Sequence, residues 1–223
     1  MDEGNFYLER IGEVVPVEQD VLERLFNEFL ELDHIYDSAA KTVETQLRIY
    51  DNEFSMRYKR NPIHSIDSRI KSGKSIMGKL QRKGLPMTAQ SAQKNLTDIA
   101  GIRVVCYYID DIYAIAELLT RRGDFEVIKL KDYIKNPKPS GYRSFHMVVM
   151  VPVYMSTKKM TVPVEIQIRT IAMDFWASLE HQLHYKTDSI VPDDLKEELR
   201  ELAGTIAETD LRMQAIYEQI NEL

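Results

Sequence analysis

The sequence predicts an α+β fold, a mixed β-sheet core flanked by N- and C-terminal helices, and three observations predict it. Apolar residues recur every three or four positions over residues 17 to 58; the pattern switches to β-branched runs between residues 102 and 169; and helical spacing returns after Ile171. At 223 residues, with 44% apolar and 29% charged side chains, the chain suits one sizeable core rather than two full domains.

The first segment places Val21, Leu25, Phe29, Leu32, Ile35, Tyr36, Ala39, Val43, Leu47, Tyr50 and Phe54 on one stripe, as a long amphipathic helix or a kinked pair does. Asn61-Pro62 breaks it, and an irregular stretch is expected to follow. Ser72 can cap a second helix through SIMGKLQRK that stops at Gly84, with Pro86 beyond. Ile102 to Ile109 reads as a central strand covered on both faces. A helix over Ile112 to Arg122 comes next, then a strand near Phe125 to Leu130. The loop KDYIKNPKPSGYRS leads to a strand over Phe145 to Val151. The last strand, Val162 to Arg169, alternates Val164, Ile166 and Ile168 with Glu165, Gln167 and Arg169, which puts the three polar groups on one face. A helix over Ile171 to Lys186 is expected to turn Ile171, Phe175, Leu179 and Leu183 inward. A final helix from Asp193 carries Leu195, Leu199, Leu202, Ile206, Met213, Ile216, Ile220 and Leu223 as a seam suited to self-association. The organisation is a helical segment over 1–59, a core over 60–186 and a C-terminal helix over 187–223 for oligomerisation.

Composition excludes several classes. No apolar run reaches the roughly 18 residues that span a bilayer, and the acidic start MDEGNFYLER is unlike a signal peptide, so a soluble cytoplasmic protein without membrane partners is expected. Cys106 has no partner for a disulfide or thiolate metal site. The net charge of −6 hides an island: residues 57 to 83 hold Arg57, Lys59, Arg60, Arg69, Lys71, Lys74, Lys79, Arg82 and Lys83 against one acid, Asp67. A basic island in an acidic body suits a nucleotide better than a long nucleic acid, and no stable nucleic-acid partner is expected.

The chemistry-bearing residues cluster with that island. Ser75, Lys79 and Arg82 share a helix face, and Arg69 and Lys71 precede a helix start whose free N–H groups suit phosphate oxygens, although no Walker sequence is present. Asp98 stands at the entry to the buried strand, and Arg103 points to one face of it. Glu165, inside a strand, needs a cation, a metal or an open cleft; a salt bridge to Arg103 or Arg169 is the simpler alternative. Mg²⁺ is a natural partner, since it takes one or two carboxylates together with substrate phosphates. In the loop, Lys131, Lys135, Lys138 and Arg143 surround Tyr142, which can stack on a base or serve as an ordinary hairpin aromatic. His146 adjoins it; His181 and His184 have no third ligand and read as structural.

Four stretches together resemble the synthetase domain of the RelA/SpoT superfamily: RIKSGKSIMGKL (69–80), DIAGIRVVCYYIDDIY (98–113), KDYIKNPKPSGYRSFH (131–146) and VEIQIRTIAMDFWASLEHQLHYK (164–186). With the helical ends, the likeness is greatest to small alarmone synthetases of the RelP type. The resemblance implies a nucleotidyltransferase-like core and a GTP diphosphokinase of the stringent response, which moves the β,γ-pyrophosphate of ATP to the 3′-hydroxyl of GDP or GTP and releases AMP. It implies Arg69 and Arg103 on either side of adenine, and Lys71, Ser75, Lys79 and Arg82 on the ATP phosphates. It implies Asp98 as a Mg²⁺ ligand, Glu165 as general base and further metal contact, and Tyr142 stacked on guanine. Lys138, His146, Gln167 and Arg169 would take acceptor-side or phosphate-side contacts, and a homotetramer is implied as well.

The resemblance stops in places. No histidine is followed by aspartate, as the superfamily's hydrolase domain requires, so synthesis alone is expected. The RelQ-type branch uses a Phe and an Asn to bind pppGpp between subunits; Ser65 and Asp174 stand at those positions, and Asp174 would repel a polyphosphate. Two other classes compete. A catalytically inactive nucleotide- or RNA-binding regulator on the same fold gains nothing from two acids in its cleft, and a polymerase-like nucleotidyltransferase would carry Asp-x-Asp after Gly-Ser, which is absent.

Overall fold

A computed structural model describes residues 7–10, 13–16, 19–121, 123–186 and 192–222. A short hairpin, β1 (Tyr7–Arg10) with β2 (Glu13–Pro16), lies within the stretch read from sequence as helical. Then α1 (Gln19–Tyr58) runs unbroken for 40 residues, and its stripe Leu32, Ile35, Tyr36, Ala39, Val43, Leu47 and Tyr50 is buried. The remaining elements are β3 (Ile63–Ile70), α2 (Gly73–Arg82), α3 (Ala89–Asn95), β4 (Ala100–Cys106), α4 (Ile109–Arg121), β5 (Glu126–Asp132), β6 (Phe145–Tyr154), β7 (Lys159–Thr170), α5 (Ile171–Lys186) and α6 (Asp193–Asn221). Among the described residues no helix is long and apolar enough to cross a membrane.

Five strands form one mixed sheet in the order β3-β4-β7-β6-β5, in which β4 and β7 run parallel and the other neighbours antiparallel. The α+β reading therefore holds. One face carries Ile102, Val104, Ile166, Ile168, Met147 and Val149, all buried in the main core beneath α1 and α4. The register lines the other face with polar groups. Asp67 of β3 is level with Arg103 of β4, Gln167 of β7, His146 of β6 and Lys131 of β5; one step along, Arg69, Gly101, Glu165 and Val148 form a second row.

Several expectations fail for physical reasons. The stretch after Asn61-Pro62 is not irregular but the edge strand β3. A register shift between Ile63 and Ser65 breaks the alternation of its apolar residues, and its other face is polar because it lines a cleft. The short α3 begins at Thr88, whose hydroxyl accepts from Ser91 N, a cap the sequence reading overlooked. The central strand is β7 rather than β4, and β4 is open at Arg103, whose side chain is 45% exposed. On α5 the inward residues are Met173, Trp176 and Ala177, while Ile171, Phe175, Leu179 and Leu183 face outward. On α6 the buried positions are Ala203, Asp210 and Gln214; Leu195, Leu202, Met213, Ile216 and Ile220 are exposed, and Leu223 lies outside the described residues.

Candidate active site

The polar face of the sheet opens into two cavities, of about 300 and 310 Å³. The first is lined by Arg69, Lys71, Asp98, Gly101, Arg103, Glu165 and Gln167, together with Asp67. The second is lined by Lys129, Lys131, Tyr133, Lys138, His146, Glu165 and Gln167. Glu165 and Gln167 belong to both, so the alternating strand β7 forms the wall between two chambers of similar size.

In the first chamber, Arg69 pairs in register with Gly101, and Arg103 with Asp67, so the two arginines are diagonal neighbours on adjacent strands. Diagonal positions lie about 7–8 Å apart, which leaves the thickness of one aromatic ring between two guanidinium planes. Gly101 leaves the floor between them bare. Ser72 caps α2 by accepting from Ser75 N at 3.3 Å, and Lys71 N donates to Ile99 O at 2.8 Å, which ties the helix start to the strand entry. Lys71 Nζ (2.6 Å) and Lys79 Nζ (2.5 Å) both donate to Asp98 Oδ2. Burial pushes the Asp98 carboxyl up, but the two ammonium groups outweigh it and hold it below the ordinary aspartate range. Its other oxygen, Oδ1, is buried without a hydrogen-bond partner.

Glu165 does not form the salt bridge to Arg103 or Arg169 that was the simpler alternative. Its Oε2 accepts from Gln167 Nε2 at 2.9 Å, and Oε1 lies 3.7 Å from His146 Nδ1. The His146 contact, aided by Gln167, outweighs desolvation and keeps the carboxyl below the ordinary glutamate range, so the group stands ionised as an acceptor. Gln167 Oε1 in turn accepts from Arg169 Nη2 at 2.9 Å. Arg169 is buried, its guanidinium lies 5.8 Å from the Tyr142 ring centre, and desolvation lowers its pKa.

Tyr142 is half-buried rather than freely exposed. Its hydroxyl is 2.9 Å from His146 Nε2, and Lys138 Nζ lies 4.5 Å from its ring centre. Burial raises its pKa. Of the residues predicted from sequence, Arg69, Lys71, Asp98, Arg103, Lys138, His146, Glu165 and Gln167 line the two chambers. Lys79 joins them through Asp98, and Tyr142 and Arg169 through His146 and Gln167. Ser75 and Arg82 do not line either chamber; Ser75 bonds to the helix cap, and Arg82 is exposed in the last turn of α2. The side chain of His184 lies outside the described residues.

Asp67, Lys129 and Tyr133 are lining residues that the sequence did not predict, and Asp174, expected only to repel a polyphosphate, has arginine partners. The alternation of KLKD, with two lysines on one face of β5, was the available signal for Lys129. Asp174, in the first turn of α5, places Oδ1 3.6 Å from Arg103 Nη1 and 3.4 Å from Arg169 Nη1, so it joins an arginine of the first chamber to one beside Tyr142. Among the described residues no three His, Cys, Asp or Glu side chains gather as metal ligands, so any ion here would rely on one or two carboxylates and its substrate.

Residues 68–190 match the family described as "Region found in RelA / SpoT proteins". The GTP pyrophosphokinase YwaC of Bacillus subtilis (strain 168) is 41% identical over 201 residues, which cover 90% of this chain and 94% of YwaC. The GTP pyrophosphokinase YjbM of the same organism is 35% identical over 187 residues, 84% of this chain and 87% of YjbM. The crystal structure of small alarmone synthetase 1 from Bacillus subtilis, bound to its product pppGpp, superimposes with a TM-score of 0.80 at 34% identity, over 86% of this chain and 98% of that one. With two nucleotide-sized chambers meeting at a carboxylate, and with that agreement in sequence and fold, the chain belongs to the RelA/SpoT family.

Proposed function

We propose that the protein is a GTP diphosphokinase that transfers the β,γ-pyrophosphate of ATP to the 3′-hydroxyl of GDP or GTP, yielding ppGpp or pppGpp and AMP, by synthesis alone. The observation that carries this reading is the shared wall: Glu165 faces the arginine-lined chamber on one side and, on the other, the chamber of Lys129, Lys131, Tyr133, Lys138 and His146, with Tyr142 held behind it by its contact with His146. The names of the similar Bacillus proteins and the product bound in one of them support it.

On this reading ATP occupies the first chamber, with adenine between Arg69 and Arg103 and its phosphates against Lys71 and Lys79, assisted by Ser75 and Arg82 at the helix. The guanine nucleotide occupies the second, its base on Tyr142 and its phosphates among Lys138, His146 and Arg169. Glu165 takes the proton as the 3′-oxygen attacks the β-phosphorus; the bond from that phosphorus to the oxygen bridging to the α-phosphorus breaks, and AMP leaves with that oxygen. A ribose hydroxyl is a weak nucleophile, and a positioned base contributes about 10²–10⁴-fold. In-line alignment and cationic neutralisation of the phosphates supply much of the rest.

The residues fit a Mg²⁺ ion. The buried, unpartnered Asp98 Oδ1 is an oxygen donor without a job inside the protein, and Glu165 lines the same chamber. Such an ion, when bound, neutralises charge on the transferred phosphates. Asp98 and Glu165 would hold it, while Lys71 and Lys79 restrain Asp98. The outward apolar faces of α5 and α6 support self-association, with a homotetramer as the proposed assembly. The test of the activity is to incubate the protein with Mg²⁺, γ-labelled ATP and GDP or GTP and to separate the products. Label on a guanosine tetra- or pentaphosphate with equimolar AMP is expected; label only as free phosphate or pyrophosphate contradicts the reading.

A further inference from the structure

We infer that α6 is a brace for the acceptor chamber and that Arg143 is the positioning residue through which it fixes Tyr142. The inference rests on the proposed stacking of guanine on Tyr142.

The loop that carries Tyr142 is in backbone contact with α6. Gly141 has φ +89°, and a Cβ added there would stand 2.6 Å from Ala203 Cβ and 3.6 Å from Arg200 Cα. Only glycine suits both that conformation and that approach. Arg143 Nη1 donates to Gly141 O and to Ala203 O, each at 3.1 Å, so one nitrogen ties the peptide before Tyr142 to a carbonyl within the helix. Trp176 of α5 donates from Nε1 to Leu199 O at 3.1 Å, and Trp176, Ala177 and Ala203 form a buried apolar cluster against which Tyr142 and Ile206 pack. This cluster is separate from the main core and lies beneath the tyrosine.

The other half of α6 is anchored by polar contacts at buried positions, where a purely apolar seam would permit sliding. Thr170 Oγ1 donates to Asp210 Oδ2 at 2.6 Å, Gln214 Nε2 donates to Asp110 Oδ2 at 3.0 Å, and Asp110 N donates to Gln214 Oε1 at 3.2 Å. Tyr217 stacks on Tyr108 with ring centres 4.1 Å apart. Directional bonds of this kind fix the rotation and register of a helix in a way that apolar packing does not. The helix is thus pinned at α4 and at the end of β7, and its first half, held to α5 through Trp176, meets the loop.

A loop held before the nucleotide arrives spares the base from ordering it, which lowers the concentration needed for binding. The brace therefore acts on the affinity for the guanine nucleotide and makes no contact with Arg69, Lys71, Asp98 or Arg103, which line the ATP chamber on the far side of β7.

The test is steady-state kinetics of the full-length chain with Arg143→Gln, Arg143→Lys and Tyr142→Ala. For Arg143→Gln, KM for GDP is expected to rise about tenfold while KM for ATP stays within about twofold of wild type; Arg143→Lys, whose ammonium can reach one of the two carbonyls, should recover part of that loss. An unchanged KM for GDP, or parallel rises for both nucleotides, overturns the brace. If Tyr142→Ala raises KM for GDP and Arg143→Gln does not, the brace fails and the stacking stands. If Tyr142→Ala leaves KM unchanged, the stacking itself is lost, and the brace with it. Trp176, the one tryptophan in the chain, gives a readout independent of turnover. Its emission in the wild-type protein should change on addition of GDP and remain constant with a non-hydrolysable ATP analogue; emission indifferent to saturating GDP also overturns the brace.

Discussion

Gln167 Nε2 donates to Glu165 Oε2 at 2.9 Å on the wall shared by the two chambers. The bond follows from strand geometry: residues two apart on β7 point the same way, and the amide reaches the carboxylate along the strand. Because Gln167 is held in turn by Arg169, the direction of the Glu165 oxygens is set by a hydrogen-bonded file rather than by solvent.

Asp98 is the other acid of the site, and its two oxygens have different roles. Oδ2 is occupied by Lys71 and Lys79, and Oδ1 is unpartnered. Asp98→Asn is expected to lower kcat about 10²–10³-fold, the scale seen when one charge-stabilising group of a site is removed, and to raise the Mg²⁺ concentration needed for half-maximal rate. A Mg²⁺ titration of the variant checks both.

Tyr142→Ala should weaken the guanine nucleotide by about 1–3 kcal/mol, the usual worth of one stacked base, and leave ATP binding unaffected. Tyr142→Phe retains the ring but loses the hydroxyl that meets His146, and its KM for GDP should lie between wild type and Tyr142→Ala. Measured KM values for both substrates decide.

Asp210 is buried on α6, and desolvation raises its pKa, with the Thr170 hydroxyl opposing in part. A carboxyl raised in the folded state binds its proton more tightly there than in the unfolded chain. Its contribution to stability is therefore present below the unfolded value and is lost as pH rises through the folded one. Thermal unfolding of wild type and Asp210→Asn from pH 7 to pH 4 should show the difference in Tm moving in favour of wild type on acidification. A difference constant over that range contradicts it.

Phe175 and Leu179 are 58% and 50% exposed on α5. If this face is covered by a second copy, Phe175→Glu combined with Leu179→Glu should reduce the mass measured by light scattering to that of a smaller assembly, since two buried charges on a self-interface cost more than its apolar contacts return. An unchanged mass would place the interface elsewhere.

Much of this was legible in the sequence. The alternation Val164 to Arg169 placed Glu165, Gln167 and Arg169 on one face, and the β-branched run around Val104 announced a buried strand, because both signals depend only on side-chain period. The edge strand β3 was not legible. It buries little of one face and spends the other on Ser65, Asp67 and Arg69, so it reads as a loop. The orientation of α5 was misread because Phe175 and Leu179 share a stripe as regular as a core stripe, and period alone does not say which side the core is on. Asp174 was set aside as an unfavourable charge. Its contacts with Arg103 and Arg169 arise from the start of α5 meeting the middle of β4 and the end of β7, a juxtaposition set by topology.

The measurement that tests the central claim most directly is a comparison of wild type and Glu165→Gln by calorimetric nucleotide binding and by product formation. The account predicts that the variant binds ATP and GDP with near-normal affinity and forms no 3′-pyrophosphorylated guanosine above about one part in 10² of the wild-type rate. A variant that binds both nucleotides and turns over like wild type would contradict it, and would remove Glu165 as the proton acceptor.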